Sequence, residues 1–243
     1  MFEMMTATAK VAAGPTEAVY TSIGGQTFIV PAGVTRLCGV FISPGGGSGG
    51  CAIANVAPGG GGGGGMVWFN DLPVTAGDKF TFAISNGGNG GGTAGGNGAS
   101  GSKMAVYLNG VLEFDLDGGS PSQGTASGTT DYYPGSGARA PTIYLQRVYA
   151  NGKYALRPGN NGLQGGVGKT AGVLGGKAAG YTGVNLPTGK GQSLYGINGK
   201  DQLYGGGGDG VYVSTVSKAG QPGQQGAARF MWTLGQSFPN NAA

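Results

Sequence analysis

The sequence predicts an all-β protein with little or no α-helix, in which short antiparallel strands carry a stacked bundle of polyglycine II-type helices. Three observations predict this fold. Glycine accounts for 58 of the 243 residues, about three times its usual share of roughly 7%. Segments with alternating apolar residues, which are typical of half-buried strands, separate the glycine tracts. Within those tracts, glycine recurs at every third position.

The threefold spacing predicts how the glycine tracts are ordered. It occurs at Gly92, Gly95, Gly98 and Gly101, again from Gly159 to Gly168, and again from Gly220 to Gly226. Three residues per turn is the period of an extended left-handed helix that makes no internal hydrogen bonds. Its N–H and C=O groups are therefore free to bond to neighbouring helices, provided that glycine faces each neighbour. The short runs and only 12 prolines argue against collagen.

Alternating apolar residues and turn signals predict the strands in order. Asn109-Gly110 is a strong hairpin signal, and Asn151-Gly152 predicts a second hairpin. In the strand 37–42, Cys38, Val40 and Ile42 should share one face. We expect the last strand to pair back with the opening sheet. The predicted strands are 27–30, 37–42, 66–70, 79–84, 104–108, 111–116, 142–149, 153–156, 211–216 and 228–234.

Composition predicts two segments and limits the partners. Residues 1–22 read as a lead that is either an attachment segment or a packed terminus, and 23–243 as the glycine-rich domain. Phe2, Met4 and Met5 are the candidate attachment residues within the lead. Charged residues make up 10% of the chain, against roughly 25% in an average globular protein. The net charge is +4 and the lysines are scattered, so no nucleic acid partner is expected.

The residue types present argue against an enzyme. No histidine occurs, which excludes Ser-His-Asp and Cys-His sites and the usual zinc sites. The one acidic cluster, Glu113, Asp115 and Asp117, has the spacing of a solvated strand face. We expect no catalytic residue, no metal and no cofactor.

The two cysteines and the N-terminal residues bear on where the chain folds. Cys38 and Cys51 are expected to be buried free thiols, with a disulfide as the alternative. Neither a signal peptide nor an 18-residue apolar run is present. We therefore expect the protein to be made in a cytoplasm.

Three motifs resemble a known family. They are 27–35 (TFIVPAGVT), 44–50 (PGGGSGG) and 74–78 (VTAGD). Their order, followed by a closing strand after Gly226, is similar to the glycine-rich domain of tailed-phage tail-fibre proteins, including the tip adhesins of T-even-like long tail fibres. The resemblance covers roughly residues 20–235. It implies a virion protein, made in the host cytoplasm, that sits on another tail-fibre protein and binds a bacterial outer-membrane protein or lipopolysaccharide.

Tyrosine and arginine outside the glycine tracts are the candidate receptor contacts, because both provide large contact areas with hydrogen bonds. We expect them on loops centred on 127–158 and 192–204. Two alternatives stay open: a structural virion protein, such as a capsid decoration or a fibre or collar component, in which these residues line a homo-oligomer interface, and an ice-binding bundle. The candidates are Tyr132, Tyr133, Arg139, Tyr144, Arg147, Tyr149, Tyr154, Arg157, Tyr195 and Tyr204.

Overall fold

The computed structural model describes residues 16–125, 131–132, 142–143, 147–157, 165–167, 192–193, 203–211, 217–232 and 238. Within them the protein is mostly antiparallel β-sheet with almost no helix, which confirms the all-β prediction. The elements are β1 (Glu17–Tyr20), β2 (Gly24–Ile29), β3 (Arg36–Ile42), β4 (Val56–Ala57), β5 (Met66–Pro73), β6 (Lys79–Ile84), β7 (Met104–Leu108), β8 (Val111–Leu116), β9 (Asp131–Tyr132), β10 (Thr142–Ile143), α1 (Arg147–Asn151), β11 (Tyr154–Arg157), β12 (Gly165–Val167), β13 (Gln192–Ser193), β14 (Leu203–Tyr204) and β15 (Ala227–Met231).

Two five-stranded sheets form a sandwich. The first has the order β1-β15-β3-β5-β11 and the second β10-β8-β7-β6-β2. Strand β15 pairs with β3 from Ala227 opposite Ile42 to Met231 opposite Cys38, so the prediction that the last strand returns to the opening sheet is confirmed. The remaining strands form a small sheet, β4-β12-β9, and the pair β13-β14.

Aromatic rings fill the space between the two sheets. Phe230 from the first sheet stacks on Phe28 from the second, with ring centroids 4.2 Å apart. Strand β6 buries Phe80, Phe82 and Ile84 and turns its intervening residues outward, as its alternating sequence predicts. The sandwich therefore has one apolar core shared by both sheets.

The first sheet is apolar on its other face as well. Cys38, Val40 and Ile42 share that face, as predicted, and pack in a second cluster with Tyr204 and Phe238. Cys38 and Cys51 are both buried free thiols, which confirms that prediction. A sheet buried on both faces explains why nearly every residue of β3 is apolar.

The first predicted hairpin is confirmed. β7 and β8 pair across Asn109 and Gly110, which adopt φ angles of 51° and 81°. Positive φ at both central residues is what a two-residue type I′ turn requires.

The second predicted hairpin, around Asn151-Gly152, is wrong. α1 occupies the place of its first strand, β10 pairs with β8, and β11 pairs with β5. The cause lies outside the local sequence: the Glu113 carboxylate accepts the backbone N–H groups of Arg147 and Val148 at the start of the helix. Gly152, with a φ of 69°, follows the last helical residue, as glycine often does.

The predicted acidic face is buried at two of its three residues, whereas the side chain of Asp117 is 47% exposed. Glu113 and Asp115 are only 2% and 8% exposed, since α1 and β10 cover β8. Strand periodicity identifies the two faces but gives no information on what later covers them.

Part of the predicted lead belongs to the sandwich. β1 lies at the edge of the first sheet, and Glu17 forms an ion pair of 2.6 Å with the buried Arg229 on β15. Phe2, Met4 and Met5 lie outside the described residues, as does the predicted strand 211–216 apart from Val211. The division of the chain at residue 22 stays a prediction.

Candidate functional site

Six glycine tracts leave the sandwich from strand ends. Three follow β3, β6 and β8, and three lead into β5, β7 and β15; a seventh, 205–211, follows β14. At their other ends the tracts meet again: Gly50 bonds to Gly96, Cys51 to Lys218, and Ala52 to Thr125. We call this region, comprising residues 51–57, 92–96, 123–125 and 217–219, the far end.

Tract 44–50 lies at the centre of the others. It exchanges backbone hydrogen bonds with six neighbouring segments, and four of these neighbours are bonded again three residues later. Segment 217–226 accepts from Gly45, Ser48 and Cys51 through Gln224, Gln221 and Lys218, and segment 96–101 accepts from Gly47 and Gly50 through Ala99 and Gly96. Segment 117–125 donates from Gly119, Ser122 and Thr125 to Pro44, Gly47 and Gly50, and segment 85–91 donates from Gly88 and Gly91 to Gly45 and Ser48. Gly46 donates to Gly62 and accepts from Gly208.

Close approach of these backbones explains the glycine content. A Cβ placed on Gly45, Gly46 or Gly47 would lie less than 3.0 Å from a carbonyl oxygen of a neighbouring tract, as it would on Gly49 and Gly50. Backbone atoms cannot move aside without breaking their own bonds. At these positions glycine is required by contact with neighbours rather than by its conformational freedom.

Three serines are buried between the tracts and bond to backbone at two sites each. Ser48 Oγ accepts from Gln221 N at 2.7 Å and donates to Asp209 O at 2.7 Å. Ser122 Oγ accepts from Gly49 N at 2.8 Å and donates to Gly59 O. Ser43 Oγ accepts from Gly65 N and donates to Asp117 O. Each hydroxyl thus joins backbone groups of two other tracts or tract ends.

We predict that Ser122→Ala destabilises the protein by about 2–3 kcal/mol, because it leaves two buried backbone groups unpaired. Urea denaturation followed by circular dichroism measures the change. Ser102→Ala, at an exposed serine, is the matched control and should stay within about 0.5 kcal/mol of the parent protein. Equal effects of the two substitutions would contradict this role of the hydroxyl.

The far end also holds the attachment points of further segments. Segment 126–130 follows Thr125, and β12 joins β4 of the far end to β9. The small sheet β4-β12-β9 therefore fixes residues 131–132 and 165–167 beside the ends of the tracts. The chain on either side of these pairs holds part of the predicted receptor-contact region.

The predicted contact residues are placed as follows. Tyr133, Arg139, Tyr144 and Tyr195 lie outside the described residues. Tyr132, Tyr149 and Arg157 are described only as members of β9, α1 and β11.

The side chains of three predicted contact residues are described, and each is already engaged by the sandwich or by the second apolar cluster. Arg147 pairs with Asp78 at 2.5 Å, Tyr154 packs on the sandwich core, and Tyr204 is buried in the second apolar cluster. The receptor-binding role of the whole set stays a prediction.

The pair of Asp78 and Arg147 belongs to a polar network under α1. Burial of Asp78 opposes its ionisation, but hydrogen bonds from Thr75 N, Asn109 and Arg147 outweigh burial and lower its pKa. Burial raises the pKa of Glu113, although the backbone N–H groups of Val148 and Arg147 oppose that shift. Ionised Asp78 therefore stabilises the folded protein at pH values above its unfolded-state pKa. The raised pKa of Glu113 has the opposite effect: its contribution to stability is present at low pH and is lost as pH rises through that raised pKa.

Asp78→Asn should lower the free energy of unfolding by about 1–2 kcal/mol near neutral pH, since Arg147 is partly exposed and its contribution is screened. The difference from the parent protein should shrink as pH falls below about 4, the usual pKa of an unfolded aspartate, and should disappear once pH passes through the lowered pKa of Asp78 in the folded protein. Urea denaturation at a series of pH values checks this. A difference independent of pH would show that the charge of Asp78 is unimportant.

A cavity of about 490 Å³ opens on the flank of the tracts, close to the sandwich. It is lined by the carboxamide residues Asn86, Asn89, Gln224 and Gln225, by Tyr204, and by glycine and proline. We call it the amide groove. Sequence reasoning missed these residues apart from Tyr204. The available signal was the spacing of three that places Asn86 and Asn89 on one face of a threefold tract.

Among the described residues, no group of three or more histidine, cysteine or acidic side chains is placed to hold a metal ion. Nor does the described part of the chain contain a helix long and apolar enough to span a membrane. No protein-family model and no curated protein matches the chain.

Proposed function

We propose that this protein is a bacteriophage tail-fibre adhesin: a non-enzymatic receptor-binding protein whose glycine tracts are polyglycine II helices. In this proposal the tracts form a rigid rod bundle, the sandwich holds its base, and loops at the far end bind a bacterial outer-membrane protein or lipopolysaccharide. Another tail-fibre protein carries the adhesin on the virion.

The bonding pattern supports the polyglycine II assignment. Helices with three residues per turn present one backbone group to the same neighbour at every third residue, and the bonds of tract 44–50 recur in that way. Six neighbours around one tract correspond to hexagonal packing. Amide I infrared spectra of the protein should contain a component distinct from its β-sheet bands, and Gly92→Ala, at an open position, should leave it unchanged.

The attachment of part of the predicted receptor-contact region to the far end carries the adhesin proposal. A hydrogen-bonded scaffold keeps its geometry while loops at its end vary, which is the arrangement that recognition proteins use. The stretch 126–141 is held at both ends, by Thr125, which bonds to Gly50 in the tracts, and by Thr142 of β10, which pairs with β8. Replacement of this stretch should leave the scaffold folded.

Loop replacement on the phage tests the proposal. We expect a phage carrying the 126–141 stretch of a relative with another host to change its adsorption range, with a silent-codon phage as control. Purified parent protein should compete with phage for the original host. If adsorption and competition are both unchanged by the replacement, the assignment of this loop to the receptor fails.

Immunogold labelling of virions distinguishes the alternative, a structural virion protein. If the protein is an adhesin, the antibody should label the distal tips of the fibres. Label on the capsid or the collar would replace the adhesin with that structural role.

A further inference from the structure

We propose that the amide groove binds a short segment of a neutral carbohydrate. This inference goes beyond the proposed function, since the groove lies on the flank of the tracts, close to the sandwich. Its carboxamides come from two tracts that pair there through Gly223 N to Gly88 O and Gly226 N to Ser85 O. The far end lies at the opposite ends of the same tracts.

The groove offers hydrogen-bonding side chains whose capacity the fold does not use. Asn86, Asn89 and Gln224 are exposed, and none of them makes a side-chain hydrogen bond to another residue of the described part. Each carboxamide presents two N–H donors and an acceptor oxygen. Gln225 differs, because its Nε2 donates to Thr21 O at 2.8 Å and so fixes one wall.

The arrangement of these groups follows the threefold period. Asn86 and Asn89 are three residues apart on one tract, so they project on the same side, separated by about 9 Å at 3.1 Å per residue. Gln224 projects from the antiparallel neighbour beside them. The groove therefore presents two rows of carboxamides that face a shared space.

The chemistry of the lining selects the ligand class. Among the residues that the structure describes, no lysine, arginine, aspartate or glutamate lines the groove, so these residues offer no counter-ion to a phosphate or another charged group. A sugar hydroxyl is both donor and acceptor, which matches a carboxamide on both counts. Tyr204 borders the same space, but its side chain is only 3% exposed, so the carboxamides provide the contacts with the sugar hydroxyls.

Size favours a glycan segment over a folded protein partner. The volume lies within the roughly 300–1,000 Å³ range of small-ligand pockets. A protein interface needs about 800 Å² on each side and a centre of large anchor residues, which this narrow polar space does not provide.

The test is a titration of the full-length, isotope-labelled protein followed by NMR of the side-chain amide signals. Maltohexaose, chitohexaose and a mannose hexamer are the neutral probes, and a galacturonate hexamer is the charged probe. We expect saturable shifts of the Asn86, Asn89 and Gln224 signals with a neutral probe, and weaker or absent shifts with the charged one. No saturable shift with any neutral probe, or equal binding of the charged probe, would overturn the proposal.

Variants locate the binding. Asn89→Ala and Gln224→Ala should each weaken it about threefold to tenfold, the usual contribution of one or two uncharged hydrogen bonds. Gln123→Ala is the matched control, because it removes an exposed carboxamide from another tract, at a position that does not line the groove. Equal losses in all three variants would place the binding elsewhere. Protein with a replaced 126–141 loop should keep the binding, so this result is independent of receptor adsorption.

Discussion

Replacing Gly47 by alanine is expected to prevent the glycine tracts from assembling. A Cβ at this position would lie less than 3.0 Å from the carbonyl of Asn89, whose oxygen also accepts from Ala99 N at 2.8 Å. Relief of the clash would separate three tracts at once. We expect a loss above about 4 kcal/mol, a large part of the 5–15 kcal/mol that stabilises a typical domain. Soluble yield and thermal melting measure it.

Gly92→Ala is the matched control, and it should not lower the free energy of unfolding. No atom lies within 4 Å of the added Cβ, and the φ of Gly92 is outside the left-handed region. The substitution should therefore be neutral or should stabilise by up to about 1 kcal/mol, because alanine restricts the unfolded chain. If Gly47→Ala were as well tolerated as Gly92→Ala, close backbone contact could not be the reason for glycine in the central tract.

Phe230→Ala is expected to have the second largest effect. The Phe230 ring contacts five other aromatic rings from both sheets, and it is fully buried. Removing a buried phenylalanine side chain costs about 3–5 kcal/mol. β15 is also continuous with tract 217–226, so we expect sandwich and tracts to lose structure in one transition. Calorimetry alongside near-ultraviolet circular dichroism checks both points.

Val111→Ala provides the comparison for the aromatic core. Its side chain is 48% exposed on the same sandwich, and its truncation should change stability by less than about 0.5 kcal/mol. Two separate transitions in Phe230→Ala, one for the sandwich and one for the tracts, would contradict the coupling between them.

The sequence predicts those parts of the fold that depend on local rules. Alternation predicts β6 because one face of this strand packs in the apolar core while the other faces outward. Asn109-Gly110 is sufficient for its turn because its backbone geometry admits few other residues. The segment 147–151 could not be predicted in this way, since its helix depends on Glu113, a residue more than thirty positions earlier.

The candidate sites could be predicted only in part, for a related reason. Counting tyrosine and arginine identifies residues capable of binding but not those already used by the fold. Arg147 is engaged by Asp78, and Tyr154 and Tyr204 pack against the apolar clusters. Asn86 and Gln224 are more than a hundred residues apart in the chain, and only the pairing of their tracts brings them to one cavity.

The threefold bonding of the central tract limits how such a protein can change in length. Insertion of one or two residues within a tract would turn every later N–H and C=O toward the wrong neighbour. Insertion of three residues preserves each partnership and lengthens a tract by about 9 Å. Because neighbouring tracts run out from the sandwich and back, related proteins should differ in whole triplets, added to several tracts together, so that reach is set in discrete steps.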